Sequence, residues 1–267
     1  YYNYINDLNG DRNMLKKEFN INSSKKSYKI FCDLYLPDNR NIKKIIIACH
    51  GFGGDKKSSA IIALARSLTS FGIGVITFDF PGHGMSKTDG YYYTVENCIN
   101  DIDDVEQYIK NSFENIEIGI FATSFGAYVT LLKINKSNDR YNSIILRCPA
   151  INMKKVFEDS LLKMSINEFL EKGKCILGFE RKIIITKEFY EELVINDIFK
   201  IYNNNNKILI IHGTEDTTAP IDDSIKFQKM FKNNVKLYEI KGADHRFKKP
   251  GELNKVISIS TKYILEN

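Results

Sequence analysis

The chain has 267 residues, 43% of them apolar and 27% charged, and carries a net charge of +5 from 38 basic and 33 acidic side chains. That balance describes one large folded domain, or a core with an insertion, and excludes disordered and fibrous classes. The lysines are scattered among acids and asparagines, and no run nears the ~18 apolar residues of a bilayer span, so neither a nucleic-acid partner nor a membrane span is expected.

The opening YYNYINDLNGDRNMLKKEFN has no apolar core of the kind a secretory signal carries. It begins on Tyr1 rather than Met, which is compatible with removal of an upstream segment. Next, KKEFNI and YKIFCDLYLP read as an antiparallel pair at one edge of a sheet. From there short apolar runs alternate with amphipathic stretches, the pattern of a mostly parallel α/β sheet. KKIIIACHGFGG (43–54) is a buried strand ending in a glycine-rich turn, and SSAIIALARSLTSFG (58–72) a helix with a Ser start and a Gly stop. GVITFDFPGHG (74–84) is the next strand and turn. TVENCINDIDDVEQYIKNSF (94–113) is a helix capped by Thr94, with Asn97 at the capping-box position and an apolar stripe from Val95 to Ile109.

Strand IEIGIFA (116–122), helix FGAYVTLLKIN (125–135) and strand YNSIILRCPA (141–150) follow. Residues 151–203 break the rhythm with one or two short helices, a hairpin around Gly178 in KCILGFERKIII, and the helix TKEFYEEL. We expect 151–203 to be a cap inserted into a core made of 1–150 and 204–267, with the polar NNNN (203–206) returning to the sheet. Strand KILIIHG (207–213), helix DDSIKFQKMFK (222–232), strand VKLYEI (235–240) and helix ELNKVISISTKYIL (252–265) complete the core.

Five cysteines, Cys32, Cys49, Cys98, Cys148 and Cys175, are odd in number, widely spaced and without a C-x-x-C pair. They suit small buried hydrophobes in a reducing cytoplasm better than a disulfide framework. The four histidines include no i, i+4 pair, so no zinc site is expected.

The candidate chemistry lies directly after expected strands, where open α/β sheets gather their active groups. Ser124, in Ala122-Thr123-Ser124-Phe125-Gly126, fits the G-x-S-x-G turn with Ala for the first Gly; the small residues let strand and helix approach closely. Taken alone, the pattern is weak and reads more readily as a helix N-cap. Asp216, in HGTEDTTAP, is placed to reach an imidazole on a neighbouring loop or to close an Asx turn before Pro220; Glu215 is the lesser candidate. His245, in KGADHRF beside Asp244, is a base or a packing residue. A serine nucleophile needs a histidine to take its proton, a carboxylate to orient that histidine, and N–H donors for the oxyanion. The order Ser124, Asp216, His245 is the order of α/β-hydrolases. CHGFGG offers the Phe52 N–H as one oxyanion donor, and the Phe125 N–H is the other; the loop lacks the spacing of a phosphate cradle. In DFPGHGMS, Asp79, Gly82, Gly84 and Ser86 shape the floor, while His50 and His83 read as structural.

Together HGFGG, DFPGHGMS, ATSFG, HGTEDTTAP and GADHRF make the chain resemble the α/β-hydrolase superfamily over nearly its whole length. It is most similar to the serine aminopeptidase-like and monoacylglycerol lipase-like group, including small bacterial feruloyl (cinnamoyl) esterases; it has Ala-Thr-Ser where that group commonly has Gly-His-Ser. The resemblance implies an α/β-hydrolase fold, a mostly parallel central sheet with helices on both faces and a small inserted cap. It implies a Ser124, Asp216, His245 triad, oxyanion donors at Phe52 and Phe125, and hydrolysis of a small-molecule ester without metal or organic cofactor. Aminopeptidase, monoacylglycerol lipase and thioesterase activities would use the same triad, and a non-catalytic ligand-binding member of the fold is the reading from another class.

Within the cap, Glu158, Asp159, Glu168 and Glu171 would have to hold an α-ammonium in an aminopeptidase, but lysines among them favour a solvated face. Phe157, Leu161, Leu162, Met164, Phe169 and Leu170 would line an acyl site in a lipase, or pack the cap onto the core, which is the preferred reading.

Overall fold

A computed structural model describes residues 5–6, 14–39, 41–88, 90–137, 141–162, 164–178 and 182–267. Most of the N-terminal stretch examined for a leader, and residues 179–181 of the expected hairpin, lie outside these. The strands in chain order are β1 (Ile5–Asn6), β2 (Met14–Asn22), β3 (Lys29–Pro37), β4 (Lys44–Cys49), β5 (Gly74–Phe78), β6 (Glu117–Thr123), β7 (Ile144–Arg147), β8 (Lys174–Leu177), β9 (Ile183–Thr186), β10 (Ile208–Gly213) and β11 (Val235–Ile240). The helices are α1 (Ser59–Thr69), α2 (Val95–Ser112), α3 (Phe125–Lys136), α4 (Met153–Val156), α5 (Ile166–Lys172), α6 (Lys187–Ile195), α7 (Ile198–Ile201), α8 (Ile221–Met230) and α9 (Glu252–Glu266).

Among the described residues nine strands form one sheet in the order β1-β2-β3-β5-β4-β6-β7-β10-β11. The pairs from β5 through β11 are parallel, and those joining β1, β2, β3 and β5 are antiparallel. The β2–β3 pair has the expected antiparallel register, Met14 opposite Pro37, but β1 caps it, so it lies one strand in from the edge.

Burial on both faces explains the apolar runs. In β4, Ile45, Ile47 and Cys49 enter a core shared with α2, α3 and Phe227 of α8, while Ile46 and Ala48 enter the opposite core with α1 and α9. Each fully buried isoleucine contributes about 1.5–3 kcal/mol. Amphipathic helices cover the faces: Thr94 accepts the Asn97 amide at the start of α2. The reciprocal half of a capping box is absent: the Thr94 amide donates to Tyr92 O, to which the Asn97 side-chain amide also donates.

The chain runs from β4 to β5 on one side and from β6 to β7 on the other, which opens a topological crevice between the C-terminal ends of β4 and β6. Between β7 and β10, α4 continues into a π-helical turn over Phe157–Leu161, followed by α5, the β8–β9 hairpin, α6 and α7. None of these joins the central sheet. Phe157 and Phe169 are buried in an aromatic cluster with Phe189 and Tyr190, so they pack the segment rather than open onto a cavity. All five cysteines are buried and unpaired, and among the described residues no helix is long and apolar enough to cross a membrane.

Candidate active site

Ser124 joins β6 directly to α3 with φ +52° and ψ −114°, a left-handed conformation that a residue with a Cβ adopts only under strain. Its amide donates to Arg147 O of the adjacent strand end, and its carbonyl accepts from Ala127, Tyr128 and Ala150, so the surroundings over-determine the turn. The side chain makes no N-cap bond, which removes the simplest structural role for the hydroxyl. Close approach explains Gly126: a Cβ there would lie 2.4 Å from His50 O and 3.0 Å from Cys49 O. The small residue is demanded by β4 as well as by the strand and helix of the turn.

Asp216 satisfies both of its expected readings at once, one oxygen for each. Oδ1 accepts the amides of Thr218 and Ala219 at 2.9 Å each, which is the Asx-type turn. Oδ2 receives His245 Nδ1 at 2.6 Å. Burial pushes this carboxyl up, but hydrogen bonds from His212 and His245, the His245 charge and the Ala219 amide together hold it well below the usual carboxylate range. Glu215 is exposed and 3.6 Å from Lys249, and Asp244 accepts the amides of Arg246 and Lys248. Neither competes for His245.

A second histidine, assigned no role from the sequence, completes the carboxylate's shell. His212 is fully buried, with Nε2 3.0 Å from Asp216 Oδ2 and 2.8 Å from Ala219 O, and Nδ1 2.8 Å from Ser224 Oγ. Both groups at Nε2 are acceptors, so Nε2 carries the proton and Nδ1 accepts from the Ser224 hydroxyl. The only trace of this in the sequence is a histidine four residues before Asp216 inside the apolar run ILIIHG. Cys148 lies alongside: its Sγ and the facing Asp216 and His245 atoms all fall within 4.8 Å of one another. Burial raises the Cys148 thiol, which keeps it protonated beside the pair.

Ser124 and His245 line one cavity of about 860 Å³ above the strand ends. Phe52, Met85, Met153, Val156, Leu161 and Leu177 give it apolar walls; Asp55, Lys57, Thr218 and Arg246 give it polar ones. Of Phe157, Leu161, Leu162, Met164, Phe169 and Leu170, Leu161 alone lines it, whereas Met153, Val156 and Leu177 were not foreseen. Gly51 to Gly54 form a tight turn closed by Gly54 N donating to Gly51 O at 3.0 Å, with Gly53 at φ +70°. Among the described residues neither the Phe52 nor the Phe125 amide donates to another protein group.

A switch-point crevice with a serine on a strained strand-to-helix turn, and a histidine–aspartate pair on the two strand-end loops beyond it, defines an α/β hydrolase. Residues 40–182, more than half of the chain, match the family described as "Serine aminopeptidase, S33". The chain belongs to that family of serine α/β hydrolases. It is 25% identical over 248 residues to the "Monoglyceride lipase homolog" of Monkeypox virus, spanning 82% of this chain and 87% of the relative. Among solved structures, Est1E from Butyrivibrio proteoclasticus with bound ferulic acid superposes with a TM-score of 0.77 at 22% identity, over 93% of this chain and 98% of that one. The mouse alpha/beta hydrolase domain-containing protein 10 superposes with a TM-score of 0.72 at 17% identity, over 94% and 99%. These likenesses of structure carry the fold.

Proposed function

We propose that the chain is a carboxylesterase working through an acyl-enzyme on Ser124. His245 takes the hydroxyl proton as Ser124 attacks the ester carbonyl, and Asp216 holds the imidazole by Nδ1 and stabilises its charge. The Phe52 and Phe125 amides receive the oxyanion, each worth about 3 kcal/mol by comparison with donor deletions in other hydrolases. His245 then protonates the leaving alcohol and activates the water that releases the acid. The observation that carries this reading is the 2.6 Å His245–Asp216 bond beside a cavity that Ser124 also lines.

An ester is favoured over an amino-terminal peptide by the charges around the cavity. Glu158 is held by Lys154 and Tyr190, and Glu168 by Lys172, and neither lines the cavity. Asp55 does, but its Oδ1 accepts the Lys57 amide, and Lys57 and Arg246 share the wall. The mixed walls suit a small acyl or aromatic ester, and the ferulic acid bound by the structural neighbour supports the aromatic choice.

Labelling of folded protein by a fluorophosphonate, lost in Ser124→Ala, tests the nucleophile. Rates on p-nitrophenyl esters of increasing chain length, a methyl hydroxycinnamate and an aminoacyl anilide test the substrate. A faster anilide would overturn the ester assignment, and an unreactive Ser124 the hydrolytic one.

A further inference from the structure

We propose that His50 and His83 are positioning residues that fix the Phe52 amide through a reciprocal exchange of hydrogen bonds between two loops; the inference rests on the reading that this amide binds the oxyanion. His50 follows β4 in the loop that contains Phe52, and His83 belongs to the loop after β5. His50 Nε2 accepts the Phe80 amide of the second loop at 3.1 Å, and His83 Nε2 accepts the Gly53 amide of the first loop at 3.1 Å. Each ring's Nδ1 faces a carbonyl of its own loop, Gly51 O at 2.8 Å for His50 and Pro81 O at 3.0 Å for His83.

These partners dictate the tautomers. A carbonyl only accepts and an amide only donates, so in both rings Nδ1 carries the proton and Nε2 the lone pair. Both side chains are 1% exposed, their ring centroids are 5.2 Å apart, and Phe52, Phe80 and Tyr93 pack around them.

The clasp acts where the loop has few other restraints. Asp79 also ties the loops, accepting the amides of Lys56 and Met85, but it takes hold three residues past Gly53. At Phe52–Gly53 the backbone is held by the Gly54–Gly51 turn and by His83. Phe52 is the first central residue of that turn and Gly53 the second, so the bond to Gly53 N–H sets the peptide plane next to the Phe52 amide. An oxyanion donor acts by being fixed before charge develops, so loosening this plane costs kcat rather than substrate binding.

The test uses the whole chain. Nitrogen-15 spectra of the wild-type imidazoles should show Nδ1 protonated and Nε2 unprotonated for both His50 and His83. His83→Phe keeps bulk but removes the acceptor. It should lower kcat on p-nitrophenyl butyrate by about 10- to 100-fold with KM within about threefold, since outright loss of an oxyanion donor costs about 10²–10³. Gly53 amide exchange should speed up in the same variant. His83→Gln, which carries an acceptor oxygen to the place of Nε2, should recover most of the loss. A protonated Nε2 on wild-type His83, wild-type kcat in His83→Phe, or no recovery in His83→Gln overturns the proposal. If the wild type neither hydrolyses esters nor labels with a fluorophosphonate, the functional reading falls while the tautomers and Gly53 exchange still decide the clasp. If His83→Phe fails to fold, the wild-type tautomers and the His83→Gln kinetics decide it.

Discussion

His212 Nε2 lies 3.0 Å from Asp216 Oδ2, the same oxygen that receives His245 Nδ1 at 2.6 Å. One buried carboxylate oxygen therefore holds two imidazoles, and only one of them borders the cavity. His212 fixes the side of Asp216 that His245 does not. Replacing it with Phe removes a hydrogen bond to a charged acceptor, worth about 1.5–3 kcal/mol, and strands the Ser224 hydroxyl. We expect His212→Phe to lose about that much stability in urea titration and to lower kcat about tenfold, with KM unchanged. Unaltered kcat would confine His212 to a packing role.

The proposed role of Asp216 and its depressed carboxyl together link activity to acid stability. Its carboxyl is held below the usual range, so the unfolded chain takes the proton first as pH falls. The stabilisation is complete above the ordinary aspartate value of about 4 and is lost as pH drops through the lower folded value. Asp216→Asn should reduce kcat by about 10⁴ by analogy with the serine protease aspartate. Its stability deficit, measured by urea unfolding at pH 7, 5 and 3, should shrink toward the acid end. A deficit that stays constant with pH would contradict the depressed carboxyl.

The fold and the functional groups were legible to different depths, for physical reasons. A parallel strand buried on both faces has to be an apolar run, and KKIIIAC and KILIIHG announce β4 and β10 for that reason. The turn at Ser124 was legible because a strained turn needs small neighbours, and a Cβ on Gly126 would lie 2.4 Å from the His50 carbonyl oxygen. Hydrogen-bond partners were not legible. Asn97 bonds Tyr92 rather than completing its cap, and His212 drew no reading because its partner lies four residues on, in the loop after the strand. The cavity walls were hidden for a related reason. Met153 and Val156 come from the two ends of α4 and Leu177 from β8, and no local periodicity distinguishes a side chain facing a cavity from one facing the core.

Strain at Ser124 sets the proposed nucleophile against stability. A non-glycine residue at φ +52° costs on the order of 1–3 kcal/mol, and glycine removes that cost while adding about 0.5–1 kcal/mol of unfolded-state entropy. Ser124→Ala removes the hydroxyl and keeps the Cβ, whereas Ser124→Gly removes both. We expect both variants to lose esterase activity and fluorophosphonate labelling, and Ser124→Gly to be more stable than Ser124→Ala by about 1 kcal/mol in urea. Equal stabilities would mean the turn stores no strain.

Away from the cavity, Asp101 offers a stability gain with no catalytic consequence. It is 0% exposed on α2, its Oδ1 accepts the Tyr28 hydroxyl at 2.6 Å, and among the described residues its Oδ2 has no hydrogen-bond partner. Burial pushes its carboxyl well above the ordinary value, outweighing the Tyr28 bond that favours ionisation. For a raised carboxyl the sign is opposite to that of Asp216: its contribution is fully present below about pH 4 and is lost as pH rises through the folded value. Asn keeps an oxygen for Tyr28 and never ionises. Asp101→Asn should therefore raise the midpoint of thermal unfolding at pH 7, by about 2–4 °C for each kcal/mol recovered in a chain of this size. The gain should vanish near pH 3, where the native residue is protonated in both states. Thermal scans at the two pH values decide it, and a variant destabilised equally at both would show that Oδ2 accepts a bond the asparagine amide cannot replace.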